Sequence, residues 1–258
     1  RMLVLLSCAK TMSAVSKVKV PLTTSPRFQK EAAEIALQMS QFSVDELERL
    51  LRVNAKIAVE NYKRYQAFHA EATPELPALL AYTGIVFKRL NPKDFSAEDF
   101  GYAQEHLRLT SFCYGLLRPL DVIRAYRLEG DVVLPELVTE TLFSYWRSRL
   151  TDTFIEDIRS AGGILCNLAS DEMKSLFDWK RVESEVRVVT PEFHVWKNGK
   201  LATIVVYTKM SRGEMTRFIL KNKIGNPEEL KGFSWEGFEF DESLSDEKKL
   251  VFINGMGE

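Results

Sequence analysis

The residues best suited to chemistry fall into four short stretches. Ser7-Cys-Ala-Lys-Thr11 sets hydroxyls and one lysine directly after an apolar run, the composition of a loop that cradles an anion. No glycine-rich phosphate loop accompanies it, so a strand end carrying a solvated lysine is the alternative. Residues 105–129 hold Arg108, Arg118, Arg124 and Arg127 together with Asp121 and Glu129, among apolar residues dense enough to form core. A fixed cation in such a run must be paired or must meet an anionic ligand. Gly115 allows a tight turn and Pro119 keeps Arg118 out of a helix. The expectation is an apolar element, a turn, then arginines and acids aimed at one place; an internal Arg–Asp/Glu network is the equal alternative. Asn167, Ser170, Asp171 and Glu172 follow a short apolar segment, and so stand at the carboxyl end of a strand, where open α/β sheets bind ligands. The fourth stretch, residues 209–223, sets Lys209, Arg212, Arg217, Lys221 and Lys223 against the single acid Glu214. A solvated charged face is the bland reading of it.

Composition narrows the setting. The chain has 258 residues, long enough for one large domain or two small ones. No apolar run approaches the roughly 20 residues of a membrane span, and residues 2–6 are too short for a leader core and read as a buried first strand. The formal net charge is −1, so a polyanion would need segregated charge. Residues 224–247 supply that segregation, with eight acids and Lys231 as the one base, directly after the basic stretch. Cys8, Cys113 and Cys166 lack the spacing of a zinc or redox pair and sit in apolar surroundings. With three scattered histidines (His69, His106 and His194) and no H-E-x-x-H pattern, no metal site and no cofactor are expected.

The elements that must position these groups follow from pattern. Residues 2–7 read as a strand and 12–26 as a loop. Residues 27–70 read as helices, with a capping box at Ser43–Glu46 and a cap at Asn54. Ala78–Tyr82 reads as a strand and Thr83-Gly84 as a turn. An acidic first turn after Ser96 predicts a helix over 97–108. Residues 132–137 read as a linker and 140–160 as a helix ended by Gly162-Gly163. A strand from Ile164 leads into the polar loop. Asn198-Gly199 predicts a hairpin between strands at 186–196 and 201–208. Residues 209–223 then read as a helix, with Met215, Phe218 and Ile219 on one face. Further strands are expected within 232–240 and 250–253.

Five blocks, taken together, resemble the YaaA family of bacterial peroxide stress resistance proteins. They are Ser7-Cys-Ala-Lys-Thr11, Tyr114-Gly-Leu-Leu-Arg-Pro-Leu-Asp121 with Tyr126-Arg-Leu-Glu129, Asn167-Leu-Ala-Ser-Asp-Glu172, Lys209-Met-Ser-Arg-Gly-Glu-Met-Thr-Arg-Phe-Ile219, and the closing aromatic run at 232–241. The likeness covers essentially the whole chain, in order. It implies a single α/β (mixed α+β) domain over residues 1–258, with a central mixed sheet, flanking helices, a basic cleft and a helix-hairpin-helix-like element near the block 105–129. It also implies a cytoplasmic protein that limits iron-driven DNA damage by hydrogen peroxide and binds DNA. The sequence departs from the pattern in carrying Cys8 for proline, Phe112 for a hairpin glycine and Met173 for an aromatic.

Two functional readings follow. In the first, DNA is held without base readout by Arg108, Arg118, Arg124, Arg127, Lys209, Arg212, Arg217 and Lys221. In the second, Ser7, Lys10, Thr11, Arg118, Asp121, Asn167, Ser170 and Glu172 form a pocket for a small anion, a nucleotide or carboxylate, whether in an enzyme or a binding protein. Positive charge suffices for the first, whereas polar groups gathered at strand ends suit the second. In a third reading the same residues form a buried structural network. No spacing identifies a reaction, although Lys10 could clamp an anion and Glu172 or Asp121 could serve as a base if burial raises its pKa.

Overall fold

The first strand, β1 (Met2–Leu6), is apolar at all five positions and almost entirely inaccessible, as expected of a strand covered on both faces. A computed structural model describes residues 1–137 and 140–255. Ten further strands follow in chain order: β2 (Leu76–Pro77), β3 (Leu107–Ser111), β4 (Gly115–Leu117), β5 (Val122–Ile123), β6 (Ile164–Asn167), β7 (Arg187–Lys197), β8 (Lys200–Ala202), β9 (Ser234–Trp235), β10 (Phe238–Phe240) and β11 (Lys249–Asn254). Among the described residues nine of the eleven strands form one mixed sheet, in the order β4-β3-β1-β6-β7-β11-β10-β9 with β8 on β7, while β2 pairs with β5. The inner strands β3, β1, β6, β7 and β11 run parallel. The helices are α1 (Gln29–Met39), α2 (Val44–Leu51), α3 (Ala55–Ala67), α4 (Ala78–Ala81), α5 (Ile85–Leu90), α6 (Ala97–His106), α7 (Leu142–Ser160), α8 (Trp179–Glu185) and α9 (Val205–Asn222). The result is one α/β domain with a large mixed sheet and flanking helices.

Local signals account for much of this. Ser43 and Ser96 form reciprocal capping boxes with Glu46 and Asp99, and the Asn54 side chain caps α3. Asn198 (φ 54°) and Gly199 (φ 75°) make the left-handed two-residue turn between β7 and β8. Two expectations fail. Ala78–Ala81 is a short buried helix rather than a strand: an apolar run of this length has no decisive period, and Ala and Leu are good helix formers. The pairing falls instead to Leu76–Pro77. Likewise β8 stops at Ala202 and α9 begins at Val205, where a strand to residue 208 is expected. Val205 and Val206 favour strands intrinsically, yet they lie exposed on the first turn of a helix fixed by the burial of Met215, Ile219 and Leu220 further along.

The block 105–129 is also reorganised. It contains the end of α6, then β3, a turn, β4 and β5. The helices α5 and α6, joined through residues 91–96, precede it. Gly115 (φ 77°) closes the β3–β4 turn against α7; a Cβ there would come within 2.7 Å of the Trp146 ring. The arginines diverge. Arg108 is buried and donates from Nε to Asp157 at 2.7 Å. Arg118 pairs with the wholly buried Asp121 at 2.9 Å and donates to the Ser25 carbonyl. Arg124 reaches Glu75 and the carbonyls of Phe68 and Ala70. The alternative of an internal network therefore describes three of the four.

The C-terminal half of α9 is fastened to α6 in the same way. Arg217 forms a two-pronged contact with Asp94, and Lys221 donates to Asp99 at 3.0 Å. Burial acts to raise the Asp99 carboxyl, but the Ser96 backbone amide and Lys221 outweigh it and hold its pKa at about 2. A depressed folded pKa contributes stability that is present above the unfolded value, near 3.9, and is lost as pH falls through the folded one. Asp99→Asn should therefore lower stability at pH 7 by about 1–2 kcal/mol. Between about pH 4 and pH 2, in urea unfolding at each pH, the difference from the parent should close.

Candidate functional site

The sheet order fixes where a ligand can enter. From β1 the chain moves outward to β3, then returns to the other edge of β1 with β6 and continues outward to β7. The direction reverses between β1 and β6, and the loops leaving their carboxyl ends must part there. That crevice is the usual ligand site of open parallel sheets. Here it holds a cavity of about 420 Å³, lined by Ser7–Thr11 after β1, by Phe112 after β3, and by Leu168, Ser170, Glu172 and Met173 after β6. Its size is that of a small-molecule site.

Each wall has an identifiable anchor. Ser7 bridges the two loops: its Oγ accepts the Ser170 amide at 2.9 Å and donates to the Ser170 hydroxyl at 3.3 Å. The turn Thr83-Gly84 is pinned to the first loop, because Thr83 donates to the Thr11 carbonyl and the two hydroxyls bond at 2.8 Å. Residues 126–129 close a third side, with Tyr126 in a buried hydroxyl chain with Tyr82 and Ser111. The fourth side comes from Lys209 and Arg212 on α9. That helix lies close against α5 because residue 213 is glycine; a Cβ there would sit 2.3 Å from the Val86 carbonyl oxygen.

The cavity carries four cations, Lys10, Arg127, Lys209 and Arg212, and two carboxylates, Glu129 and Glu172. Lys10 is largely exposed and pairs with the buried Glu129 at 3.3 Å. Glu172 lies at the accessible mouth. Partial loss of solvent and then the charge of Glu129 push its carboxyl up, while Lys10 acts in the opposite sense. Burial drives the Arg212 guanidinium down, opposed by the distant charge of Asp171, and Arg127 keeps a buried Nε without a hydrogen-bond partner. Arg127, Lys209 and Arg212 make no ion pair among the described residues. Cys8 also faces the cavity, but burial lifts its thiol to about 12, so no thiolate forms near neutral pH. Phe112 and Met173 line it too, so all three positions that depart from the family pattern lie at this one place.

The sequence-derived residues thus redistribute. Ser7, Lys10, Thr11, Ser170 and Glu172 come together as one pocket, joined by Arg127, Lys209 and Arg212 from the DNA-contact set. Arg118 and Asp121 lie elsewhere: Asp121 accepts from Thr24 at 2.6 Å and from the Arg118 backbone at 2.7 Å, tying the 12–26 loop to the β4–β5 turn. Asn167 is buried, its side chain capping the Ala169 amide, and it borders a neighbouring cavity. Arg108, Arg118, Arg124, Arg217 and Lys221 are engaged in internal ion pairs. Sequence reasoning did not place Glu129 or Thr83-Gly84 at the site. A buried acid two residues from Arg127 was the available signal for the former; the latter had only a turn signal.

Comparison with known proteins identifies the family. A family model described as peroxide stress protein YaaA matches residues 2–244. Among curated relatives, a UPF0246 protein of Bacteroides thetaiotaomicron is 98% identical over 257 residues, covering 100% of both chains. One of Bacteroides fragilis is 77% identical, again over 100% of both. A UPF0246 protein of Crocosphaera subtropica is 38% identical over 98% of this chain and 100% of its own. The chain belongs to the YaaA family of peroxide stress proteins.

The charge coupling in the cavity has a measurable sign. Glu129→Gln removes a neighbouring negative charge and should move the Glu172 titration midpoint down; Lys10→Ala removes a positive one and should move it up. Carboxyl titration by NMR reads both. Two shifts in the same direction would show that the three groups do not share one field.

Proposed function

We propose that this chain acts in the cytoplasmic response to hydrogen peroxide, limiting iron-driven damage to DNA, and that it works through the cavity at the β1–β6 crevice, which takes a small anionic ligand of nucleotide or carboxylate kind. The observation carrying this reading is the convergence on that cavity of hydroxyls, a lysine and three arginine or lysine side chains without carboxylate partners, from five separate parts of the chain. Hydroxyls and backbone amides fix the orientation of a ligand, Arg127, Lys209 and Arg212 balance its charge, and the apolar walls exclude water from it. Glu172, with its raised carboxyl, is the group placed to accept a proton, and Lys10 the one placed to clamp an anion. Among the described residues no helix is long and apolar enough to cross a membrane.

Binding of DNA phosphates is the second reading. It is favoured by the exposed Lys10 and Lys209 at the cavity mouth, which extended backbone phosphates can approach. The engagement of Arg108, Arg118, Arg124, Arg217 and Lys221 inside the fold weighs against a broad basic face.

Lys10→Ala and Ser170→Ala separate the two. With the cavity as the working site, both variants should fail to restore peroxide survival to cells lacking the protein, while DNA affinity by fluorescence anisotropy changes little. Each lost bond is worth about 0.5–1.5 kcal/mol, more when charged. Arg217→Ala with Lys221→Ala should leave protection intact if folding is preserved. Thermal melting of every variant controls for structural loss. If the cavity variants melt like the parent and protect fully, the cavity is not the working site.

A further inference from the structure

The loop that leaves β6 is a wall with two sides. Leu168, Ser170, Glu172 and Met173 face the first cavity, whereas Asn167, Ala169, Asp171 and Lys174 border a second one of about 480 Å³. The remaining walls of the second cavity come from β7, from the start of α9 and from Lys248 and Lys249 at the entry to β11. Arg212 lines both cavities and is the residue they share.

The second cavity has an excess of positive charge. It is lined by four cations, Lys174, Arg212, Lys248 and Lys249, and two carboxylates, Asp171 and Glu192. Both carboxylates are engaged: Asp171 pairs with Lys174 at 3.2 Å, and Glu192 lies 3.0 Å from His194 Nε2. Arg212, Lys248 and Lys249 form no ion pair among the described residues. The guanidinium of Arg212 is largely buried, and a desolvated cation carries a cost that an anionic partner offsets. One turn earlier on α9, Thr208 borders the same cavity with a buried hydroxyl that has no partner. Turning that hydroxyl toward an incoming oxygen breaks no existing bond. Three cations that form no ion pair among the described residues, with a hydroxyl donor beside them, suit a multiply charged oxyanion, and the planar guanidinium fork suits its paired oxygens.

We propose that the second cavity is an oxyanion site that takes a phosphate group between Arg212, the Thr208 hydroxyl and the ammonium groups of Lys248 and Lys249. The site shares Arg212 with the first cavity but does not depend on the function proposed for that cavity. The phosphate can be the free ion or the end of a small ester, and the two sources are distinguishable.

Titration calorimetry of the whole protein with inorganic phosphate, with ribose 5-phosphate and with ribose tests this. The parent should bind at least one of the two phosphates, and ribose should give no heat. Tighter binding of ribose 5-phosphate assigns the site to an ester, and tighter binding of inorganic phosphate assigns it to the free ion. Arg212→Gln should weaken binding by about tenfold or more, as for loss of a charged hydrogen bond. The doubly substituted Lys248→Ala, Lys249→Ala protein, altered only at partly or fully exposed side chains, should weaken it several-fold and reports on the site even if Arg212→Gln does not fold. Lys10→Ala and Ser170→Ala, which alter the first cavity alone, should bind phosphate like the parent. Absence of binding by both phosphates would overturn the proposal, as would a loss in Lys10→Ala equal to that in Arg212→Gln, which would place the anion in the first cavity.

Discussion

The structure depends on β1 being hydrogen-bonded along both edges at once, to β3 on one side and β6 on the other. A strand so enclosed has no edge to offer solvent and no face to expose, so all five of its residues must be apolar. The same double pairing dictates that the chain leaves β1 one way and returns on its other flank. The opening between the two departing loops is therefore a consequence of connectivity. Its contents then follow from what the sequence places immediately after each strand: hydroxyls and a lysine after β1, a serine and Glu172 after β6.

The distribution of cations follows a second logic. The side chains of long-range arginines hold loops and helices to one another: Arg118 through Asp121 to the 12–26 loop, Arg27 and Arg108 through Asp157 to α7, Arg217 through Asp94 to the start of α6. Burial acts to raise the Asp157 carboxyl, yet the bonds from Arg27 and the charge of Arg108 hold it below the ordinary range, which marks this as a satisfied cluster. Arginines engaged in this way are poor candidates for binding a partner, because recruitment would unpair an acid inside the fold. Of the eight cations expected to meet DNA, those without an ion pair among the described residues, Arg127, Lys209 and Arg212, are the ones that line the first cavity.

Local chemistry made much of the architecture legible. The caps at Ser43, Asn54 and Ser96, the Asn198-Gly199 turn and the buried strands on either side of the crevice are short-range events, decided within a few residues. The misread stretches are those where distant packing overrules local preference, as at Val205-Val206, or where an apolar run is too short to show a period, as at Ala78–Ala81. The site was half legible. That Ser7, Lys10, Ser170 and Glu172 belong together follows from strand ends and chain order. That Arg212 joins them does not, since its arrival depends on Gly213 letting α9 approach α5, a contact between residues over a hundred positions apart. The pairing of Arg118 with Asp121 shows the converse. Their separation of three residues suits a local bond in a turn, and the fold uses them as one.

The wall between the cavities leaves β6 and winds into a 3-10 turn at Asp171–Leu176, with side chains from Asn167 to Lys174 shared out between the two sides. Arg212 lines both chambers, so one guanidinium is common to the two. An anion that drew this guanidinium into one chamber would withdraw it from the other, and by the reciprocity of linked equilibria each occupant would weaken the other by the same factor.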